Sequence, residues 1–419
     1  MAEAEPSSAA GPTEAAPRPR APSVSVIVPV HNGGDDLRRC LEAIGRSAWP
    51  VLECIVVDDA SSDGRTAGTA ERCGARVLRQ TRQRGPAAAR NAGAAQARGD
   101  ILFFTDADVV LQEQAIARAA QALAGDPGIA AVFGSYDDRP GDPGLLSRYR
   151  NLYHHWNHQV GNEEASTFWS GCGAVRRAVF AAAGGFSEAF ARPSIEDIEL
   201  GYRLRAAGHR IRLLKDMQCT HLKRWTLGNM VRTDILLRGA PWVGLLRRFP
   251  DVPADLNLGW RSKLATACTG LLALSVPALL WLRPAALLPG AALLLACLTG
   301  AWLARGRRGG AAEGPTRLPV NDAADVPASG LANVLAGGLA VVLPLAAAWR
   351  APDPWALLPL ALAAVVAWAQ IDFYRLVARL HGLAFALAVW PLQLLFFLCC
   401  GIAVPLGLAW HLTSEKPTP

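Results

Sequence analysis

Charge is scarce in this chain of 419 residues: Asp, Glu, Lys and Arg make up 18% of it, against 51% hydrophobic residues. About a quarter charged is usual for soluble domains. The deficit excludes global disorder and argues against a protein that is soluble throughout. It is also uneven, because charges populate residues 31–263 and thin out after Lys263. Lysine is nearly missing, with Lys215, Lys223, Lys263 and Lys416 alone among 42 basic residues. That bias reads as genome composition and carries no mechanism. A basic stripe with interleaved aromatics is lacking, so the formal charge of +7 gives no support to a nucleic-acid partner. It fits basic flanks of membrane spans better. No CxxC pair occurs among the nine cysteines, which read as small buried hydrophobes in a reducing cytosol and a bilayer. Residues 1–22 have no apolar core and are expected to be a disordered tail, not a signal peptide.

What is present begins at Val24. Short β-branched or apolar runs at Val24–Val30, Glu53–Val57, Arg76–Leu78, Ile101–Thr105 and Ala130–Gly134 predict strands. Helical patterns lie between them at Asp35–Trp49, Pro86–Arg98 and Gln112–Leu123. Strands alternating with helices predict a parallel α/β sheet, whose ligands bind beyond the carboxyl ends of its strands. Asn32, Asp58–Asp59 and Asp106–Asp108 all fall at such ends.

After Lys263 come apolar segments near the ~20 residues that a span needs. Leu264–Leu282, Ala285–Leu303, Leu331–Trp349, Trp355–Ile371 and Gly382–Trp410 predict five spans, the fourth short enough to be re-entrant. Arg305, Arg307, Arg308, Arg375 and Arg379 mark a cytoplasmic side. The expected organisation is a tail at 1–22, an α/β domain at 23–245 with interfacial helices at its end, and a connector at 246–262. An all-α transmembrane region at 263–411, with a cytosolic loop at 305–330, and a tail at 412–419 complete it. Leu236–Trp242 and Leu245–Arg248 are amphipathic and expected on the membrane surface.

Three acidic sites stand out. Asp58 and Asp59 close a buried strand, where ionised carboxylates are costly without a partner. Asp63-Gly64, by contrast, reads as a turn. Asp106 and Asp108, spaced i, i+2 after a strand, suit a hard divalent cation, Mg²⁺ or Mn²⁺, which takes oxygen ligands and typically a substrate diphosphate. Glu196 and Asp197 open a predicted helix, where acids are also favoured by the helix dipole alone.

Pro29-Val30-His31-Asn32, Val57-Asp58-Asp59-Ala60-Ser61-Ser62-Asp63-Gly64, Gly85-Pro86-Ala87-Ala88-Ala89-Arg90-Asn91-Ala92-Gly93, Asp106-Ala107-Asp108 and Glu196-Asp197 follow one another here. In that order they resemble family 2 glycosyltransferases of the GT-A fold, over roughly residues 23–245. The resemblance implies a Rossmann-like, mostly parallel α/β domain. It places Pro29–Asn32 under the nucleotide, Asp59 on the nucleobase with Asp58 nearby, and Arg90 and Asn91 near the nucleotide. Asp106 is expected at the ribose or the metal-bound diphosphate, Asp108 on the metal, and Asp197 as general base. His31 departs from the commoner Tyr or Phe.

Other residues keep two readings. Trp169 stacks on a sugar or belongs to the core, and Gly171 and Gly173 suggest close backbone approach to a ligand. His154 and His158 share a helical face as a metal pair or as an interfacial helix. His221-Leu222-Lys223-Arg224-Trp225 resembles the Gln-x-x-Arg-Trp motif of processive synthases, with His221 in place of Gln. There His221, Lys223 and Arg224 would meet metal or diphosphate and Trp225 would floor the acceptor site, unless the segment is merely interfacial. The expectation is an inverting, metal-dependent enzyme, multi-pass in a bacterial inner membrane with its catalytic domain cytosolic. It would move a sugar from a UDP- or GDP-sugar to a hydroxyl of a lipid or lipid-linked glycan. A processive polysaccharide synthase with a channel is one alternative, and a non-catalytic scaffold or transporter is the other.

Overall fold

The structure, a computed structural model, describes residues 21–190, 192–253, 256–282, 355 and 357–413. The predicted spans Ala285–Leu303 and Leu331–Trp349, the loop 305–330 and most of both tails lie outside them.

The amino-terminal half alternates as its hydrophobic pattern predicts. It runs β1 (Val24–Val30), α1 (Gly34–Gly45), β2 (Val51–Asp58), α2 (Thr66–Arg72), β3 (Arg76–Arg79), α3 (Pro86–Gln96) and β4 (Ile101–Thr105). Then come β5 (Val109–Leu111), α4 (Ala115–Gly125), β6 (Ile129–Tyr136), α5 (Leu145–Val160), β7 (Glu164–Ala165) and β8 (Cys172–Arg176). The domain closes with α6 (Arg177–Ala182), α7 (Glu196–Ala206) and β9 (Arg210–His221). The strands form one mixed sheet in the order β3-β2-β1-β4-β8-β6-β9-β5, with β7 on β9. The β3-β2-β1-β4 half is parallel. β8 inserts antiparallel between β4 and β6, a strand that periodicity alone did not predict.

Both faces of the sheet are covered. Val24, Val26, Val28 and Val30 pack with Leu37, Cys40, Leu41 and Ile44 of α1, whereas Ile27 points to the α3 and α7 side with Val57, Ala89 and Leu200. Alternation along the strand thus feeds two cores, each buried Leu or Ile contributing about 1.5–3 kcal/mol. Pro29 fits inside β1 because pairing with β4 stops at Ile27, so its missing N–H orphans no partner on that side.

After β9 follow α8 (Leu227–Arg232), a π-helical segment (Thr233–Gly239), α9 (Ala240–Arg248) and α10 (Trp260–Leu282). The remaining described helices are α11 (Leu357–Ala369), α12 (Ile371–His381) and α13 (Leu383–Thr413). The helix predicted at the domain's end runs on to Arg248, into the expected connector. Two of these helices, over Trp260–Leu279 and Leu383–Thr413, are long and apolar enough to cross a membrane. In the predicted span Trp355–Ile371, the one expected to be short or re-entrant, the helix has 13 residues, ~20 Å long against a ~30 Å hydrocarbon core; it bends by 69° into α12, and the two together are long and apolar enough for a broken span or a re-entrant loop.

The helices join the α/β domain through an aromatic cluster of Tyr149, Tyr153, Trp225, Phe373 and Phe396. A buried ion pair, Arg150 with Asp234, ties α5 to the π-helical segment, and Arg150 lies 5.4 Å from the Trp225 ring. The segment expected on the membrane surface packs against α13: a Cβ at Gly407 would meet the Ala240 carbonyl at 2.5 Å.

Candidate active site

The site forms along the edge where β2, β1 and β4 end. Asp59 follows β2 and is buried. Its two carboxylate oxygens accept from the backbone N–H groups of Arg84 and Gly85, each at 2.8 Å. They thereby clamp the turn that starts α3, where Gly85 adopts φ +90°, a conformation only glycine takes readily. Asp58 accepts from the Ser61 amide at 2.8 Å and lies 3.6 Å from Arg79 Nε. Asn32, in the left-handed region at φ +56°, accepts from the Ser62 and Asp63 amides at 2.9 and 3.1 Å. It ties the end of β1 to the loop after β2. Beside Asp58 a hollow of roughly 320 Å³ is lined by Ala60, Arg79, Gln80 and Thr81.

Arg90, placed near the nucleotide by its motif, turns inward. It donates from Nη1 to Glu196 Oε1 at 2.9 Å and from Nη2 to Asp106 Oδ1 at 2.6 Å. The neighbouring carboxylates hold its guanidinium charged against the cost of burial. Glu196 is buried, and burial pushes its carboxyl up from the usual range even though Arg90 pulls it down. Asn91 also faces the protein: its amide donates to the Phe186 carbonyl at 2.8 Å and accepts from the Phe186 N–H at 2.9 Å.

Asp108 Oδ2 lies 3.4 Å from His221 Nε2. Burial works to raise the Asp108 carboxyl, but the His221 hydrogen bond and charge overcome it and hold the group below its usual value. His221 stacks on Tyr136 with ring centroids 4.7 Å apart and an interplanar angle of 9°. Asp36, on the first turn of α1, was not singled out from the sequence. Burial raises its carboxyl first and the charge of Asp108 second. Spacing carried no signal for it, since first-turn acids are common.

Asp197 opens α7. Its Oδ2 accepts from the Ser170 N–H at 3.0 Å and the Ser170 hydroxyl at 3.1 Å. Trp169 beside it packs edge-on against Tyr136 at 4.8 Å, and with His154 at 5.0 Å and His158 at 5.3 Å. Gly171 and Gly173, expected where a ligand approaches the backbone closely, lie against Trp169 and Phe168. A Cβ at Gly171 would meet the Trp169 indole at 2.6 Å, and one at Gly173 the Trp169 carbonyl at 2.3 Å, so the protein fills that room itself. The histidines have structural partners as well. His158 and His155 use Nδ1 on the carbonyls of Gly134 (2.8 Å) and Tyr136 (2.6 Å), beside the register shift between β6 and β9. Trp225 is buried in the joint with the helices, with Lys223 Nζ 4.5 Å from its ring, while Arg224 is exposed.

Among the described residues no three His, Cys, Asp or Glu side chains converge into a cage that would hold an ion by protein alone. Asp106 and Asp108 fit a weaker demand. A hard divalent cation shared with a diphosphate asks for one or two carboxylates, and the Asp106 side chain is 35% exposed.

Residues 25–184 match the family model "Glycosyl transferase family 2". Glycosyltransferase AglE of Haloferax volcanii is 35% identical over 123 residues, 28% of this chain and 40% of that protein. The pre-mycofactocin glycosyltransferase of Mycobacterium tuberculosis is 30% identical over 270 residues, 60% of this chain and 54% of that protein. The chain thus spans about half the length of these relatives or less. Among solved structures, a Pyrobaculum calidifontis mannosyltransferase in complex with GDP-Man and Mn²⁺ aligns at TM-score 0.43 and 19% identity, covering 95% of this chain and 89% of that one.

Proposed function

We propose that this chain, whose residues 25–184 carry a family 2 glycosyl transferase domain, is an inverting glycosyltransferase held at a membrane. It moves a sugar from a nucleotide-sugar donor, of the UDP or GDP class, to a hydroxyl on a lipid or lipid-linked glycan. The observation that carries the reading is the Arg90 bridge. It joins Asp106 at the end of β4 to Glu196, and Glu196 is the neighbour of Asp197. Acids 90 positions apart in the chain therefore belong to one place.

In this mechanism Asp197 accepts the proton of the acceptor hydroxyl as its oxygen attacks the anomeric carbon. The bond from that carbon to the leaving diphosphate oxygen breaks on the opposite side, and one displacement inverts the centre. Asp106 and Asp108 would hold a divalent cation, Mg²⁺ or Mn²⁺, which when bound offsets the charge growing on the diphosphate. Asp58, Asp59 and the hollow beside Arg79 receive the nucleoside. A phosphate acceptor would need no base, so Asp197 favours a hydroxyl. The two long apolar helices, with the basic residues Arg247, Arg248 and Arg261 on their approach, support a membrane location with the domain on the cytosolic face.

The test is a panel of radiolabelled UDP- and GDP-sugars offered to the purified chain with extracted membrane lipid, with mass spectrometry of the labelled product. Transfer from one donor, dependent on a divalent ion, is expected. Asp197→Asn should keep nucleotide binding and lose transfer by about 10²–10⁴-fold. Full transfer by that variant, or no nucleotide bound by the parent, overturns the reading.

A further inference from the structure

We propose that Arg90 is a positioning residue that couples the donor side of the cleft to the base, so that a bound donor orders the start of α7 and with it Asp197. The inference rests on the glycosyl-transfer reading above.

Arg90 is 4% exposed. One guanidinium faces two carboxylates, Asp106 at 2.6 Å and Glu196 at 2.9 Å, while its Nε is buried without a partner among the described residues. The Phe186 ring lies 5.5 Å from it. A cation so enclosed must keep its partners, because an unpaired buried charge is strongly destabilising.

The two partners are not equivalent. Glu196 is sealed, its side chain 5% exposed, and its second oxygen accepts from the Ser194 amide at 2.9 Å. Asp106 is seven times more open, at 35%, and its second oxygen has no protein donor among the described residues. Asp106 can therefore answer to a ligand in the cleft, and Glu196 cannot. When Asp106 turns toward a bound donor it loosens its hold on Arg90, and the guanidinium settles on Glu196. Glu196 sits between Ser194 and Asp197 in the first turn of α7, so its tighter hold fixes that turn. The Asp197 carboxylate, already held by Ser170, is aligned with no direct contact to the donor. Lysine in place of Arg90 presents a point charge and cannot span both carboxylates.

The experiment is hydrogen exchange on the purified full chain, with and without the nucleoside diphosphate, UDP or GDP with Mn²⁺, that calorimetry shows to bind. In the parent, amides of residues 194–200 should exchange about 10-fold more slowly once nucleotide is bound. Arg90→Lys and Glu196→Gln should bind nucleotide within about 5-fold of the parent and lose that protection. Their kcat should fall about 10²-fold, as a misplaced catalytic group does, with the donor KM nearly unchanged. Glu196→Gln keeps the side-chain shape and answers the same question if Arg90→Lys fails to fold. Protection that persists in both variants, or a loss of nucleotide affinity as large as the loss of transfer, overturns the coupling. A parent that binds neither nucleotide overturns the glycosyl-transfer reading instead, whereas binding without protection sinks the coupling alone.

Discussion

Ser170 meets Asp197 twice on a single carboxylate oxygen, through its amide at 3.0 Å and its hydroxyl at 3.1 Å. The Ile198 N–H donates to the other oxygen at 2.8 Å, so the side chain proposed as the base is held in one orientation. Ser170→Ala removes the hydroxyl and keeps the amide. A hydrogen bond to an ionised carboxylate is worth about 1.5–3 kcal/mol net, so kcat should fall by roughly 10- to 150-fold with the donor KM unchanged. Steady-state kinetics with the donor varied decide it, and an unaltered kcat would show that the hydroxyl does not orient the base.

His221 stands 3.4 Å from Asp108 and is braced by Tyr136 from behind. Partners that orient a metal-binding carboxylate typically matter 10- to 100-fold. His221→Ala should therefore raise the half-saturating Mn²⁺ concentration by about that factor, while His221→Gln, which can still donate to Asp108, should raise it less. The Mn²⁺ titration followed by electron paramagnetic resonance gives the answer without turnover. An unchanged midpoint in the alanine variant would separate His221 from the cation site proposed at Asp106 and Asp108.

Gly171 lies under the Trp169 indole, where a Cβ would come within 2.6 Å of ring carbon. The indole cannot slide away, because Tyr136, His154 and His158 surround it. Overpacking of this kind costs about 1–3 kcal/mol, so Gly171→Ala should lower the unfolding midpoint in urea. Trp169→Phe in the same chain should recover part of the loss. Equal stability of Gly171→Ala and the parent would mean that the loop moves freely.

His158 is buried and its pKa is pushed down to about 4, by burial first and despite the Gly134 carbonyl. The unfolded chain takes up this proton near pH 6.5, the folded one only near 4. Stability is therefore full above about 6.5 and declines as the pH falls toward 4, by about 3 kcal/mol in all. Unfolding free energies at pH 7 and pH 4.5 should show the decline. His158→Gln, which can still donate to Gly134, should lessen it, the neighbouring His154, also pushed down by burial, supplying part of what remains; an undiminished decline in that variant would assign the effect to other groups.

Much of this architecture was legible before any coordinates. The β-branched runs and the i, i+3, i+4, i+7 spacing of Leu37, Cys40, Leu41 and Ile44 are local patterns, and strands and helices answer to local patterns. Acids at the ends of β2 and β4 were legible for the same reason, since a strand's end is where its apolar run stops. β8 was harder, because its antiparallel place between β4 and β6 is set by long-range pairing such as Phe104 with Gly173.

The direction in which a side chain turns is another matter, because it depends on what arrives from elsewhere in the chain. Arg90 and Asn91 were expected near a nucleotide, yet they face inward, since Glu196 arrives 106 residues later to pair Arg90 and Phe186 arrives 95 residues later to pair Asn91. Trp225, in the loop before α8, is buried in one cluster with Tyr149, Phe373 and Phe396 from three helices distant in sequence. Period and composition thus specify the sheet, the acids at its edge and the apolar helices, as these depend on near neighbours. Packing assigns each of those groups its partner, because burying a charge or an indole requires a complement, and the complement here comes from distant sequence.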